Sequence, residues 1–226
     1  MNIKNKKTYY QIILDKSSSM IDCVESTING FNEQIKMIKS LESKFLNQEV
    51  LVSLTTFNQD IYFDIECSRP SEIKEMITEK EILLNQSTDY TVYSPNGMTA
   101  LYDAIGKSIK KIQDIAYKEI EKDEATVVVV IITDGHENSS KEFRYEQIQS
   151  MIKELEKSDN WTFSYLSSTP DAIDYATRMS IKRENSFRYN KSDMMHNHGD
   201  MANSLDSYME KKMRNIKEKQ FFKKKI

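Results

Sequence analysis

The run Val127-Val128-Val129-Val130-Ile131-Ile132 carries no polar side chain on either alternating face. As a strand it has to be covered on both sides, which places it at the centre of a sheet sandwiched between two other layers. Few folds meet that condition, and the flanking sequence narrows them further. Thr8 to Leu14 (TYYQIIL) and Glu49 to Phe57 (EVLVSLTTF) read as further strands rich in aromatic and β-branched residues. Between them Ile21, Val24, Ile28, Phe31, Ile35 and Ile38 fall at steps of three and four, which predicts a helix with one apolar face. Leu101, Ile105, Ile109, Ile112 and Ala116 predict a second long helix, over about 99–122. Strands and helices thus alternate, the pattern of a three-layer α/β fold with a mostly parallel sheet.

The strict alternation of Ile61, Phe63 and Ile65 with Tyr62, Asp64 and Glu66 follows an Asn58-Gln59-Asp60 turn. It predicts one antiparallel, half-exposed edge strand. Further along, helices are expected at 71–80, 141–157, 171–181 and 200–217, with strands at 161–166 and 186–189. Five Gly and three Pro in 226 residues leave few breaks, so residues 1–216 are expected to form one domain. Residues 217–226 read as a basic, flexible tail that offers only Phe221 and Phe222 for burial and ends in the run Lys223 to Lys225.

Charge and thiol content exclude several classes of function. The net charge is -3, yet residues 210–226 hold eight Lys or Arg against two Glu, or +6, which leaves -9 for residues 1–209. An acidic body with only six arginines among 32 basic residues argues against specific nucleic-acid reading. The longest aliphatic run is six residues, far short of the roughly 20 needed to span a bilayer, so no membrane role is expected. The opening MNIKNKKTYY has no apolar stretch behind its charges, and a cytoplasmic location is expected. Cys23 and Cys67 are too few for a disulfide scaffold and read as unpaired thiols.

Two of the strands end in an acid: Ile12-Ile13-Leu14-Asp15, followed by Lys16-Ser17-Ser18-Ser19, and Ile131-Ile132-Thr133-Asp134-Gly135. In open α/β sheets the carboxyl ends of the strands form the ligand-binding edge, so the two loops should share a rim. A third polar loop, Ser94-Pro95-Asn96-Gly97-Met98-Thr99, leads into the long helix and can reach it too. The gathered groups are carboxylates and hydroxyls, an all-oxygen set that suits hard cations such as Mg²⁺, Mn²⁺ or Ca²⁺. Taken singly, Asp15 before serines is more often a helix N-cap than a ligand, and it is the coincidence of the three loops that favours a metal site.

Asp15-Lys16-Ser17-Ser18-Ser19, then Gly97-Met98-Thr99-Ala100-Leu101, then Thr133-Asp134-Gly135 resemble the three parts of the metal-ion-dependent adhesion site (MIDAS) of von Willebrand factor A domains. The resemblance covers about residues 8–215 and is closer to the small single-domain bacterial and phage members, in stretches such as GMTALYDAI and TDGHEN. It implies a Rossmann-like three-layer fold. It further implies that Ser17 and Ser19 bind the cation directly and Thr99 directly or through water. Asp15 and Asp134 would act largely through bound water, leaving a position open for a partner's Glu or Asp. Ser18 stands where the family usually has Gly, a position that is not a ligand.

The function this implies is a divalent-cation-dependent protein-binding module rather than an enzyme, working within a larger assembly such as an ATPase complex. A haloacid-dehalogenase-type phosphohydrolase is the alternative, weakened because its second catalytic acid would fall at Ser17. A structural component of a phage or mobile element is a third. Asp103 is expected to be solvated or behind the ligands, and His136 to lie on the rim. His196 and His198, two residues apart, invite a metal reading but have no predicted partner nearby and read as part of a solvated loop.

Overall fold

In strand β1 (Lys7–Asp15), Tyr10, Ile12 and Leu14 point to one side and Tyr9 and Ile13 to the other, and all five are buried. The strand therefore needs a helical layer on each face, and the rest of the chain supplies both. The computed structural model describes residues 6–85, 90–214, 216 and 220–222. After β1 come a 3-10 turn (Ser18–Cys23), α1 (Val24–Lys44), β2 (Glu49–Phe57) and β3 (Ile61–Ser68). Then follow β4 (Met76–Ile77), α2 (Glu79–Asn85), β5 (Thr91–Val92), α3 (Leu101–Glu121) and β6 (Ala125–Thr133). The order closes with α4 (Tyr145–Leu155), β7 (Trp161–Ser167), α5 (Ala172–Arg178), β8 (Ser186–Arg188) and α6 (Met194–Met213).

The main sheet has the order β3-β2-β1-β6-β7-β8. Every pairing in it is parallel except β2 with β3, which is antiparallel at the edge. Along β3 the half-buried residues Ile61, Phe63 and Ile65 alternate with exposed Tyr62, Asp64 and Glu66. All nine residues of β6 are buried. Its Val128, Val130 and Ile132 join Tyr10, Ile12 and Leu14 under α1 and α6. Its Val127, Val129 and Ile131 join Tyr9 and Ile13 under α3, α4 and α5. Each fully buried aliphatic side chain of this kind contributes about 1.5–3 kcal/mol, which is why the unbroken apolar run can only be central.

Three expectations are corrected. The segment 71–80 is not a helix: a short 3-10 turn at Pro70–Glu72 gives way to β4, which pairs with β5. Asn32 of α1 explains the difference, since its amide donates to the Met76 carbonyl (2.9 Å) and accepts from the Met76 N–H (2.7 Å). A side chain thereby stands in for a neighbouring strand. Second, α6 starts at Met194, not at residue 200, so His196 and His198 lie on a helix rather than in a loop. Met194, His198, Met201, Leu205 and Tyr208 are buried at helical spacing, and the imidazole in that row hides the periodicity. His198 is fully buried, with Nδ1 2.6 Å from Gln34 Oε1, and burial pulls its pKa down to about 3.

The third correction concerns residues 217–226. Phe221 and Phe222 are buried, packed against Tyr10, Tyr208 and Phe187, and the Phe221 N–H donates to Asn185 Oδ1 (2.8 Å). Aromatic pairing of this kind rewards docking over solvation. The run Lys223 to Lys225 lies outside the described residues. At the amino ends of the strands, Lys212 of α6 is buried and donates to the Lys7 carbonyl (2.9 Å) and to the Thr8 and Thr126 hydroxyls (2.8 Å each). Cys23 and Cys67 are both free thiols. Among the described residues, no helix is long and apolar enough to cross a membrane.

Candidate metal centre

From β1 the chain runs outward through β2 and β3, then returns to β6 on the opposite side of β1. The loops after β1 and β6 therefore diverge and open a crevice at the carboxyl ends of these two strands. Leu14 and Ile132 are register partners, so Asp15 and Thr133 end their strands side by side. Two tyrosines hold these ends. The Tyr93 hydroxyl donates to the Asp15 carbonyl (2.7 Å) and the Tyr189 hydroxyl to the Thr133 carbonyl (3.2 Å).

The Asp15 carboxylate is sealed. Its Oδ1 accepts from the Ser17 N–H (2.6 Å), its Oδ2 accepts from the Thr133 hydroxyl (2.5 Å), and the residue has no exposed surface. Burial pushes its pKa up to about 6, with the Thr133 and Ser17 hydrogen bonds working in the opposite direction. Next to it the Ser17 and Ser19 hydroxyls are 3.1 Å apart. Ser19 in turn donates to Asp134 Oδ1 in a short hydrogen bond. The β1 loop and the β6 end are thus joined through one serine.

Thr99 arrives from the third loop, and its placement depends on Gly97. That residue has φ +76°, and a Cβ there would lie 1.8 Å from Gln59 Oε1, so any other residue would strain the backbone and displace the Gln59 amide. The Gly97 carbonyl accepts from the Ser18 N–H (3.1 Å), while Gln59 Oε1 accepts from the Met98 N–H (3.0 Å). Ser18 itself occupies its position without a left-handed backbone. Thr99 is then tied to the β6–α4 loop: its N–H donates to Asn138 Oδ1 (2.8 Å), and the Asn138 N–H donates back to its carbonyl (3.0 Å). Gly135 faces both hydroxyls. A Cβ at that position would lie 3.4 Å from Ser19 Oγ and 3.5 Å from Thr99 Oγ1.

The five residues expected from the sequence, Asp15, Ser17, Ser19, Thr99 and Asp134, accordingly all lie at this crevice. Their donor chemistry fits a hard divalent cation: two carboxylates balance its charge, and three neutral hydroxyls can complete the set. One carboxylate oxygen lacks a hydrogen bond: Asp134 Oδ2 is buried, with an ammonium, Lys191 Nζ, 2.6 Å away, so a positive charge already stands where a cation would. Among the described residues there is no cluster of three or more His, Cys, Asp or Glu that would offer a different metal site.

Asp103 and His136, both noted in the sequence, help to shape the crevice, and two further residues, Glu137 and Lys191, do so without a signature in the sequence. Asp103 is buried and accepts the N–H groups of Lys141 (2.8 Å), Glu142 (3.0 Å) and Phe143 (2.8 Å), so it is not solvated but ties the β6–α4 loop to α3. Glu137 caps the same helix, accepting from the Tyr102 N–H (2.9 Å). A carboxylate at a helix N-terminus meets unpaired N–H groups and a favourable dipole. His136 is half exposed, 3.3 Å from Asp171 and edge-on to Tyr175. Lys191 is the most consequential: its Nζ lies 2.6 Å from Asp134 Oδ2 and donates to the Ser19 carbonyl (2.6 Å). A lone lysine in a polar stretch gives no hint of such a contact.

The family model of the von Willebrand factor type A domain matches residues 11–201. Similar solved structures share the fold at low identity. The vWF domain of the type V pili tip protein Mfa5 from Porphyromonas gingivalis is 8% identical with a TM-score of 0.61, covering 90% of this chain and 96% of that one. Proximal thread matrix protein 1 from the mussel byssus, with a zinc-occupied MIDAS motif, is 15% identical with a TM-score of 0.55, covering 91% and 47%. A von Willebrand factor type A structure from Catenulispora acidiphila is 12% identical with a TM-score of 0.52, covering 88% and 42%. The chain thus spans less than half the length of the last two. No curated protein sequence matches it.

Proposed function

Because the chain belongs to the von Willebrand factor type A domain family, we propose that it is a protein-binding module that captures an acidic side chain of its partner through a divalent cation held at the β1–β6 crevice. The observation that carries this reading is the convergence of Asp15, Ser17, Ser19, Thr99 and Asp134 from three separate loops onto one rim. When bound, Mg²⁺, Mn²⁺ or Ca²⁺ supplies a hard positive centre with a position that an incoming carboxylate can take. Ser17, Ser19 and Thr99 would hold it through their hydroxyl oxygens. Asp15 and Asp134 would supply the balancing charge while orienting those hydroxyls, Asp134 through Ser19 and Asp15 through the Ser17 backbone. Of the possible partners, a protein offering Glu or Asp within a larger assembly suits a site with so little net charge left over.

The same geometry weighs against the phosphohydrolase alternative. A phosphoryl-accepting aspartate needs an open oxygen, and both oxygens of Asp15 are engaged in a residue without exposed surface. The test is a pull-down from the native host in Mg²⁺ and again in EDTA, followed by calorimetry with the recovered partner. Binding that survives EDTA unchanged would overturn the proposal, as would Mg²⁺-dependent phosphate release that disappears with Asp15→Asn.

A further inference from the structure

The 3-10 turn at Lys191–Asp193 connects β8 to α6, and its first residue reaches across the crevice. Lys191 Nζ meets two oxygens at 2.6 Å, the Ser19 carbonyl and Asp134 Oδ2, with Asp22 Oδ2 further off at 4.0 Å. The lysine side chain keeps a third of its surface in solvent, whereas the Asp134 side chain keeps none. The ammonium is therefore the positive charge that a buried carboxylate oxygen faces, although the contact lacks the alignment of a hydrogen bond. The other Asp134 oxygen is already taken by Ser19. A cation in the crevice that draws on Asp134 Oδ2, directly or through a bound water, has to share it with Lys191 or drive the lysine off.

From this geometry we infer that Lys191 is a tethered competitor of the cation: it neutralises Asp134 when the crevice holds no metal and must withdraw for the metal to bind. This rests on the cation-binding reading above and adds to it a residue that sets the threshold. Two positive centres converging on one carboxylate repel each other, and in a partly buried site that repulsion is poorly screened. The lysine is suited to the exchange. Its long stem can swing into solvent at little steric cost, and an ammonium regains its hydration there. The Ser19 carbonyl is released by the same movement, so the competitor engages the backbone of one proposed ligand as well as the charge of another.

The elements on either side of the turn are held by contacts that do not involve Lys191. Tyr189, two residues earlier, is fixed independently: its N–H donates to the Ser167 carbonyl (3.0 Å) and its hydroxyl to Thr133. Beyond the turn, α6 is held by His198 against Gln34 and by Lys212 at the far end of the strands. Withdrawal of Lys191 therefore costs the fold the ion pair with Asp134, the longer one with Asp22 and one hydrogen bond.

The test is Mg²⁺ and Mn²⁺ titration by calorimetry of the wild type, Lys191→Met and Lys191→Gln, with Asp134→Ala as the control. Both Lys191 variants should bind the metal about tenfold more tightly, the factor expected when one charge-assisted contact no longer has to be broken. Their metal-free melting temperatures should fall and should be restored by Mg²⁺ to a greater degree than the wild type's is raised. In the wild type, acetylation of Lys191, followed by peptide mass spectrometry, should be faster in Mg²⁺ than in EDTA. Unchanged or weaker affinity in both variants, or acetylation indifferent to Mg²⁺, would overturn the inference while leaving the cation site standing. Absence of metal binding in the wild type and in both Lys191 variants would remove the cation-binding reading, and this inference with it.

Discussion

Lowering the pH should weaken the α1–α6 interface through one imidazole. His198 is fully buried, with Nδ1 against Gln34 Oε1 (2.6 Å), Gln34 Nε2 donating to the Tyr10 hydroxyl (2.9 Å), and Nε2 of the imidazole without a hydrogen-bond partner. Such a ring is accommodated neutral. Burial lowers its pKa from 6.5 to about 3, so below pH 6.5 the unfolded chain takes up a proton that the folded one refuses. The stability it contributes is present above pH 6.5 and is lost as the pH falls. Between pH 7.5 and pH 5 the loss is about 2 kcal/mol, with roughly 1.4 kcal/mol more for each further unit until the folded pKa is reached. Asp15 opposes this trend, because its raised pKa lets the folded state take up a proton first as the pH drops towards 6 and below. The raw stability curve therefore mixes two signs, and the difference from His198→Gln isolates one of them. Urea unfolding can be followed by Trp161, the single tryptophan, buried and stacked on Phe163. The wild type should exceed His198→Gln at pH 7.5, and the gap should shrink by about 2 kcal/mol at pH 5. A gap that stays constant across that range would refute the assignment of a neutral, buried His198.

Gly30→Ala should destabilise the same interface by about 1–3 kcal/mol, because its Cβ would stand 2.6 Å from His198 Cδ2 and 3.1 Å from the Met195 backbone; thermal melting reads this directly. Phe221→Ala should cost about 3–5 kcal/mol, and a chain ending at residue 216 should lose a comparable amount; a melting temperature within a few degrees of the full chain would show that the docked rings add nothing. Thr99→Val keeps shape and charge while deleting one hydroxyl, so Mg²⁺-dependent partner capture should fall severely by calorimetry with the metal-free melting temperature nearly unchanged.

The central architecture was legible because burial writes itself into spacing. The unbroken apolar β6, the alternating β3 and the three- and four-residue steps of α1 and α3 each have one structural solution. The two strands followed by Asp15 and Asp134 could be brought to one rim because the carboxyl ends of parallel strands share an edge. What stayed hidden depends on pairings between distant polar groups. Asn32 turning Met76 into a strand, Asp103 gathering three N–H groups of the β6–α4 loop, and Gln34 making room for His198 leave no periodic trace. The burial of Phe221 and Phe222 was obscured by the lysines around them, since a charged stretch masks two rings that find an aromatic pocket between Tyr10, Tyr208 and Phe187.

The packing of α6, Phe221 and Phe222 against β1 and α1 has a consequence for synthesis. Phe31 and Gln34 pack against His198, and Tyr10 against Phe221, so the later partners emerge from the ribosome more than 160 residues after the earlier ones. Until then that face of the sheet is covered by α1 alone, and the apolar surface it shares with α6, Val128 and Val130 included, is incompletely shielded from solvent or from another nascent chain. Contacts so distant in sequence form late and leave apolar surface exposed in the interval. Translation that stalls near residue 190 should therefore yield a chaperone-bound, aggregation-prone species in which the strands exist but one side of the sheet is covered by α1 alone.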